Sequence, residues 1–183
     1  MTITPDTKNW TWVLERPCPE CGFEAKTIAP EQVPHLLREN AEAWRALLAA
    51  GIATDADSLR TRPEPDKWSP LEYACHVRDC NEVYFTRVGM MLEQNDPQYP
   101  NWDQDETAIT ERYNEQDPQQ VLTALIATAQ RLADRFASVS GEQWQRTGHR
   151  SDGSDFTIDT LARYFVHDPI HHYWDVTGTR YGS

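Results

Sequence analysis

At 183 residues the chain has room for one domain, since compact domains usually run to about 100–200 residues, and a second full core is excluded. Hydrophobic residues make up 39% and include seven Trp, seven Tyr and five Phe, which is enough for one core without disulfide staples and too much for a wholly disordered chain. The formal net charge of -12, from 29 acidic against 17 basic residues, repels phosphate backbones and anionic headgroups, so neither nucleic acid nor a membrane surface is an expected partner.

The N-terminal "MTITPDTKNW" lacks the basic start and apolar run of a signal peptide, and no stretch approaches the roughly 20 apolar residues of a membrane span. A cytoplasmic protein is expected. Cys18, Cys21, Cys75 and Cys80 fall in two clustered pairs that do not resemble a secreted disulfide framework, so reduced thiols are expected.

Residues 1–28 carry "WTWVLERPCPECGFEA", with no sustained helical period, and are expected to form an irregular extension. Trp10, Trp12, Val13, Leu14 and Phe23 give it an apolar surface to pack against the main body, residues 29–183. A first helix is predicted from Pro30 to a stop at Gly51, with Val33, Leu36, Leu37, Trp44, Leu47 and Leu48 as its apolar stripe. "KWSPLEYACHVRDCNEVYFTRVGMML" opens a second helix, with Ser69 as N-cap, Pro70 at the first position and Glu72 closing a capping box.

The acidic stretch from Asn95 to Gln116, broken by Pro97 and Pro100, reads as a loop whose aromatic residues fold partly over the mouth of the domain. Asp117 and Pro118 start a third helix with Leu122, Leu125, Ala129, Leu132 and Phe136 as its stripe. A Gly-containing connection from Ser138 to Asp155 leads to a last helix from Thr157 to about Asp175. Four amphipathic helices without a strand series predict an all-α four-helix bundle.

On the last helix His167 and His171 are four apart and project from one side, where two imidazoles can share a metal ion. Alone, such a pair is more often structural than metal-binding. His76, at the edge of the second helix's apolar stripe, is the natural third ligand, or else a boundary histidine bonded to a carboxylate. Pro169 removes a backbone donor between the paired histidines, so a local kink is expected. If it rotates the chain, His172 replaces His171, and Asp168 with His172 forms a second four-apart pair.

Together, "KWSPLEYACHVRD" and "LARYFVHDPIHHYWDV" resemble the DinB superfamily of metal-binding four-helix bundles, over about Val33 to Trp174. The resemblance implies a DinB-type bundle whose divalent metal is held by His76, His167 and His171, with positions open to water or substrate. Three imidazoles suit zinc first, and nickel, iron or manganese as well. Asp79 and Asp175 are candidate acceptors for the remaining ring nitrogens, or solvated carboxylates. Members of the superfamily include thiol-dependent S-transferases, so the resemblance implies a low-molecular-weight thiol as co-substrate and a small electrophile as substrate. It also implies a homodimer formed through a helix face.

Cys18-Pro-Glu-Cys21 has the spacing of half a zinc ribbon with no second pair following, and Cys80 lies one turn beyond His76. A redox switch, part of a second metal site and ordinary buried cysteines are the three readings. Arg87, on the His76 side of its helix, suits an anionic substrate or a surface ion pair. The expected function is a metal-dependent thiol S-transferase or hydrolase. The alternative is a non-catalytic metal or redox sensing module that uses the histidines with Cys18 and Cys21.

Overall fold

The computed structural model describes residues 9–183; the first eight residues of the expected extension lie outside the described residues. The long helices begin where their capping residues predict. Ser69 Oγ accepts the Glu72 amide at 3.3 Å while the Glu72 carboxylate accepts the Ser69 amide at 2.8 Å, and α2 runs Pro70–Glu93. Asp117 starts α4 (Pro118–Ala137) and Thr157 starts α5 (Ile158–Thr177), each by accepting an amide three residues on. Gly178 closes α5 in the left-handed region at φ 71°.

α1 (Val33–Thr54) follows a single 3-10 turn at Pro30–Gln32 and continues past the predicted stop at Gly51. This glycine is a contact site: a Cβ there would lie 2.5 Å from Leu59 Cδ2, so the loop after α1 can fold back onto the helix only where no side chain intervenes. The acidic stretch predicted as loop contains a short helix, α3 (Gln104–Thr110), capped by Asp103. It also contributes β1 (Gln98–Tyr99), which pairs in parallel with β2 (Thr147–Arg150); β2 pairs antiparallel with β3 (Asp155–Thr157). Each of these strands is too short for a two-residue period to register in the sequence. His149, on β2, ties the sheet together, its ring nitrogens lying 2.6 Å from Asp155 Oδ1 and 2.9 Å from Asp96 Oδ1.

α4 packs against both α1 and α2, and α5 closes the opposite side against the same two helices, leaving α1 and α2 on a diagonal. The N-terminal segment is part of this core. Val13, Cys18, Cys21 and Phe23 are at most 1% exposed, and the last three share a cluster with Leu132, Phe136 and Phe165. α5 is continuous through Pro169, whose carbonyl accepts Asn40 Nδ2 at 3.0 Å and Trp44 Nε1 at 3.4 Å from α1. None of the described helices is long and apolar enough to cross a membrane.

One buried ion pair fixes the start of α2. Arg62 reaches both Glu72 carboxylate oxygens at 2.9 and 2.5 Å, with side chains only 12% and 5% exposed. Burial pushes the Glu72 carboxyl up, but Arg62 and the Ser69 amide outweigh it and hold the group below its ordinary 4.5. Its stabilisation is therefore complete above that value and lost as pH falls through the depressed one. Arg62→Ala, which strands a buried carboxylate, is expected to cost about 3–5 kcal/mol in urea unfolding and to remove this part of the acid dependence.

At His149 the sign is opposite. Asp155 and Asp96 both raise its pKa above 6.5, so the clamp's contribution is present below that value and fades as pH rises through the raised one. An NMR titration is expected to place the His149 imidazole above 6.5 in the wild type and near it in Asp155→Asn/Asp96→Asn.

Candidate metal centres on the last helix

Neighbouring residues on a helix point about 100° apart, so the sequence "HDPIHH" presents two interleaved four-apart pairs on adjacent faces of α5. His167 and His171 face the N-terminal segment; Asp168 and His172 face α2. Among the described residues, donor atoms gather within 4.8 Å of one another in two groups, Cys18 with Cys21, His167 and His171, and His76 with Cys80 and Asp168. His76 thus belongs to a different donor group from His167 and His171. The cysteine pair stands beside His167 and His171, while His76 on α2 stands beside Asp168.

The second group lies between α2 and α5. His76 Nε2 is 3.2 Å from Asp168 Oδ1, and His172 Nε2 approaches the other Asp168 oxygen at 3.7 Å. His76 and His172 meet edge to face with centroids 4.7 Å apart. Asp175 Oδ2 lies 2.8 Å from His172 Nδ1 and Asp168 lies on the Nε2 side of the same ring, so the ring is held between two carboxylates. Asp175 thus lies beside a histidine ring, as the acceptor role considered for it requires. Asp79 does not: it binds Arg78 and accepts Tyr113 Oη at 2.6 Å, away from the histidines.

The His76 ring is fixed by aromatic walls. Trp102, from the acidic stretch, stacks on it at 5.3 Å and 14°, and Trp68 lies 5.4 Å away on a tilted plane. His76 Nδ1 is buried and has no hydrogen-bond partner among the described residues, which satisfy only one ring nitrogen. Burial pushes the Asp168 carboxyl up, but His76 and His172 hold it well below the usual carboxylate range. The result is an ionised carboxylate, 30% exposed, between two imidazoles. Burial keeps Cys80, in the same group, far above the ordinary thiol value.

Two clefts of about 580 and 770 Å³ share Asp168, Tyr164, Trp10 and Gln104 in their walls. The first is lined by His167, His171 and His172, the second by the buried His76 and Arg87. Arg87 is only 5% exposed, donates to the Pro100 carbonyl at 3.0 Å and stacks over Tyr84 and Tyr99. Among the described residues no carboxylate lies within ion-pair reach of it, so the surface ion pair, one of its two readings, is not formed. Asp168, which stands in the His76 group, was not among the expected ligands, because a search for histidine trios does not weigh an aspartate at a paired position. Its signal was present as the second four-apart pair.

On the other face, Cys18 Sγ is 3.6 Å from His171 Nδ1. His171 Nε2 faces Glu20 at 3.6 Å and Asp175 at 3.9 Å. Burial and the neighbouring His171 lower the His167 pKa to about 3, so this ring is neutral at ordinary pH.

A model of the DinB superfamily matches residues 37–176, which takes in His76, Asp168, His172 and both paired histidines but not Cys18 or Cys21. No curated protein matches the chain in sequence. YfiT from Bacillus subtilis, described as a probable metal-dependent hydrolase with an unusual four-helix bundle topology, is similar in structure with a TM-score of 0.64 and 17% identity, over 96% of this chain and 90% of its own. At that identity the likeness is one of fold, and it agrees with the bundle seen here. With a family match running from α1 to the end of α5, this chain belongs to the DinB superfamily.

Proposed function

We propose that the chain is a metal-dependent enzyme that uses His76, Asp168 and His172 to hold a divalent ion and joins a low-molecular-weight thiol to a small electrophile. The observation that carries this reading is the convergence of two imidazole Nε2 atoms on the Asp168 carboxylate where two clefts meet. Two histidines and one carboxylate leave coordination positions open and suit zinc, iron or manganese. Such an ion supplies a Lewis acid that lowers the pKa of a bound thiol or water.

The residues around the site do the rest. Asp168 brings the negative charge, and Asp175 sets the His172 tautomer so that its Nε2 lone pair faces inward. Trp68 and Trp102 keep the His76 ring from turning and give the clefts apolar walls for an electrophile. Arg87, buried beside His76 in the second cleft, suits an anionic group on the substrate. In the transfer the thiol loses its proton, its sulfur bonds to the electrophilic carbon, and the leaving group departs with the bonding pair. Water in place of the thiol gives hydrolysis, the activity named for YfiT.

Metal-loaded protein, incubated with thiols and activated aromatic or ester electrophiles, is expected to yield a metal-dependent product by mass spectrometry. His172→Ala is expected to abolish it, and Asp175→Asn to weaken metal affinity or activity about 10–100-fold. No metal-dependent product across the panel, with metal bound, would overturn the reading.

For anionic substrates, Arg87→Met is expected to raise KM by roughly 10–100-fold, the worth of a charge-assisted hydrogen bond, with a smaller change in kcat. Uncharged substrates are expected to show little change, and equal losses for both kinds would argue against the anion-binding role.

A further inference from the structure

We propose that Cys18, Cys21, His167 and His171 hold a second, structural zinc ion that pins the N-terminal segment to α5. All four side chains are buried, at 1%, 0%, 4% and 6% exposure, and each offers a donor atom within 4.8 Å of the others. Two thiolates and two imidazoles are a complete tetrahedral zinc set with no position left for substrate. Zinc bonds of about 2.0–2.3 Å imply ligand-to-ligand edges of roughly 3.3–3.8 Å. The 3.6 Å from Cys18 Sγ to His171 Nδ1 already meets that spacing. His167 Nε2 is buried and has no hydrogen-bond partner among the described residues, a deficit that a metal bond removes.

The local chain is built to present two sulfurs together. The Cys18 amide donates to the Phe23 carbonyl at 2.8 Å and the Gly22 amide to the Cys18 carbonyl at 3.0 Å, closing a tight turn that needs φ +81° at Gly22. The chain after α5 clamps this turn from outside. Arg180 donates to the Pro19 and Glu20 carbonyls at 2.9 and 2.7 Å, and the Tyr181 amide to the Cys21 carbonyl at 2.7 Å. On the far side of His171, Glu20 and Asp175 face its Nε2, the position from which carboxylates orient metal-binding imidazoles. Trp10, 5.6 Å from His167 and 5.1 Å from His171, covers the pair.

Loading is a proton exchange: the ion enters, both S–H bonds break, two Zn–S bonds form, and two protons pass to solvent without oxidant or reductant. The ion acts on the neighbouring face as well. By holding His167 and His171 it fixes the rotation of α5, which sets the direction of Asp168 and His172 one residue on.

The test uses the full chain. His76→Ala/His172→Ala, which removes donors from the other site, is expected to keep one equivalent of zinc after dialysis. Zinc-edge X-ray absorption of that protein is expected to show two sulfurs at about 2.3 Å and two nitrogens at about 2.0 Å. Cys18→Ser/Cys21→Ser is expected to lose this equivalent. Because the serine variant can fail to fold, the absorption measurement decides by itself: zinc without sulfur neighbours, no retained zinc, or a metal-free protein with a Cys18–Cys21 disulfide overturns the proposal. Absence of enzymatic turnover leaves this zinc count unchanged, so the two readings fail separately.

Discussion

The rotational setting of α5 governs the chemistry of this protein. A helix that advances about 100° per residue can point His167 and His171 one way and Asp168 and His172 another, but only if it is prevented from turning about its axis. Asn40 and Trp44 hold it from α1 through the Pro169 carbonyl, and Phe165, Val166 and Ile170 are embedded in the core cluster that the N-terminal segment completes. A turn of one residue would carry Asp168 toward the cysteines and swing His172 out of reach of His76. Proline, unwelcome in a helix interior for the donor it lacks, here presents a carbonyl that the neighbouring helix uses as an anchor.

Two donor sets of different chemical character result from that setting. The face toward the N-terminal segment offers sulfur and nitrogen, four donors in all, in a buried turn closed by the chain after α5. The face toward α2 offers imidazole and carboxylate between aromatic walls, with the buried Cys80 thiol behind them, at the meeting of two clefts. Soft thiolates favour zinc held permanently, whereas a mixed nitrogen and oxygen set with open positions favours an ion that exchanges ligands. The acidic segment between α2 and α4 belongs to the second site, since it supplies Trp102 over the His76 ring and the strand that α5's own lead-in sheet pairs with.

The helical skeleton was legible because its signals are local. Ser69 with Glu72, Asp117 and Thr157 act within one turn of their own helices, and the apolar stripes repeat at a spacing that neighbours along the chain display. The three short strands, α3 and the contact at Gly51 were not legible, because each depends on a segment distant in sequence. The histidines were singled out as candidate metal donors by type and spacing, and Asp175 as a candidate carboxylate acceptor. Which histidine faces which partner is absent from the spacing, since consecutive residues on a helix carry no record of what packs against each face.

The sequence by itself determined the four long helices, their starts and ends to within a turn, the family, and the inventory of candidate donors: two cysteines three apart, His76 on α2, and the run from His167 to His172 on α5. Those are properties of residue type and of short-range hydrogen bonding. Tertiary structure alone decided that the inventory gathers in two groups, that Asp168 stands in one of them, and that Asp79 serves Arg78 and Tyr113. Metal-binding chemistry is a matter of atoms a few ångströms apart, and only the packing of α5 against the N-terminal segment on one face and α2 on the other brings those atoms together.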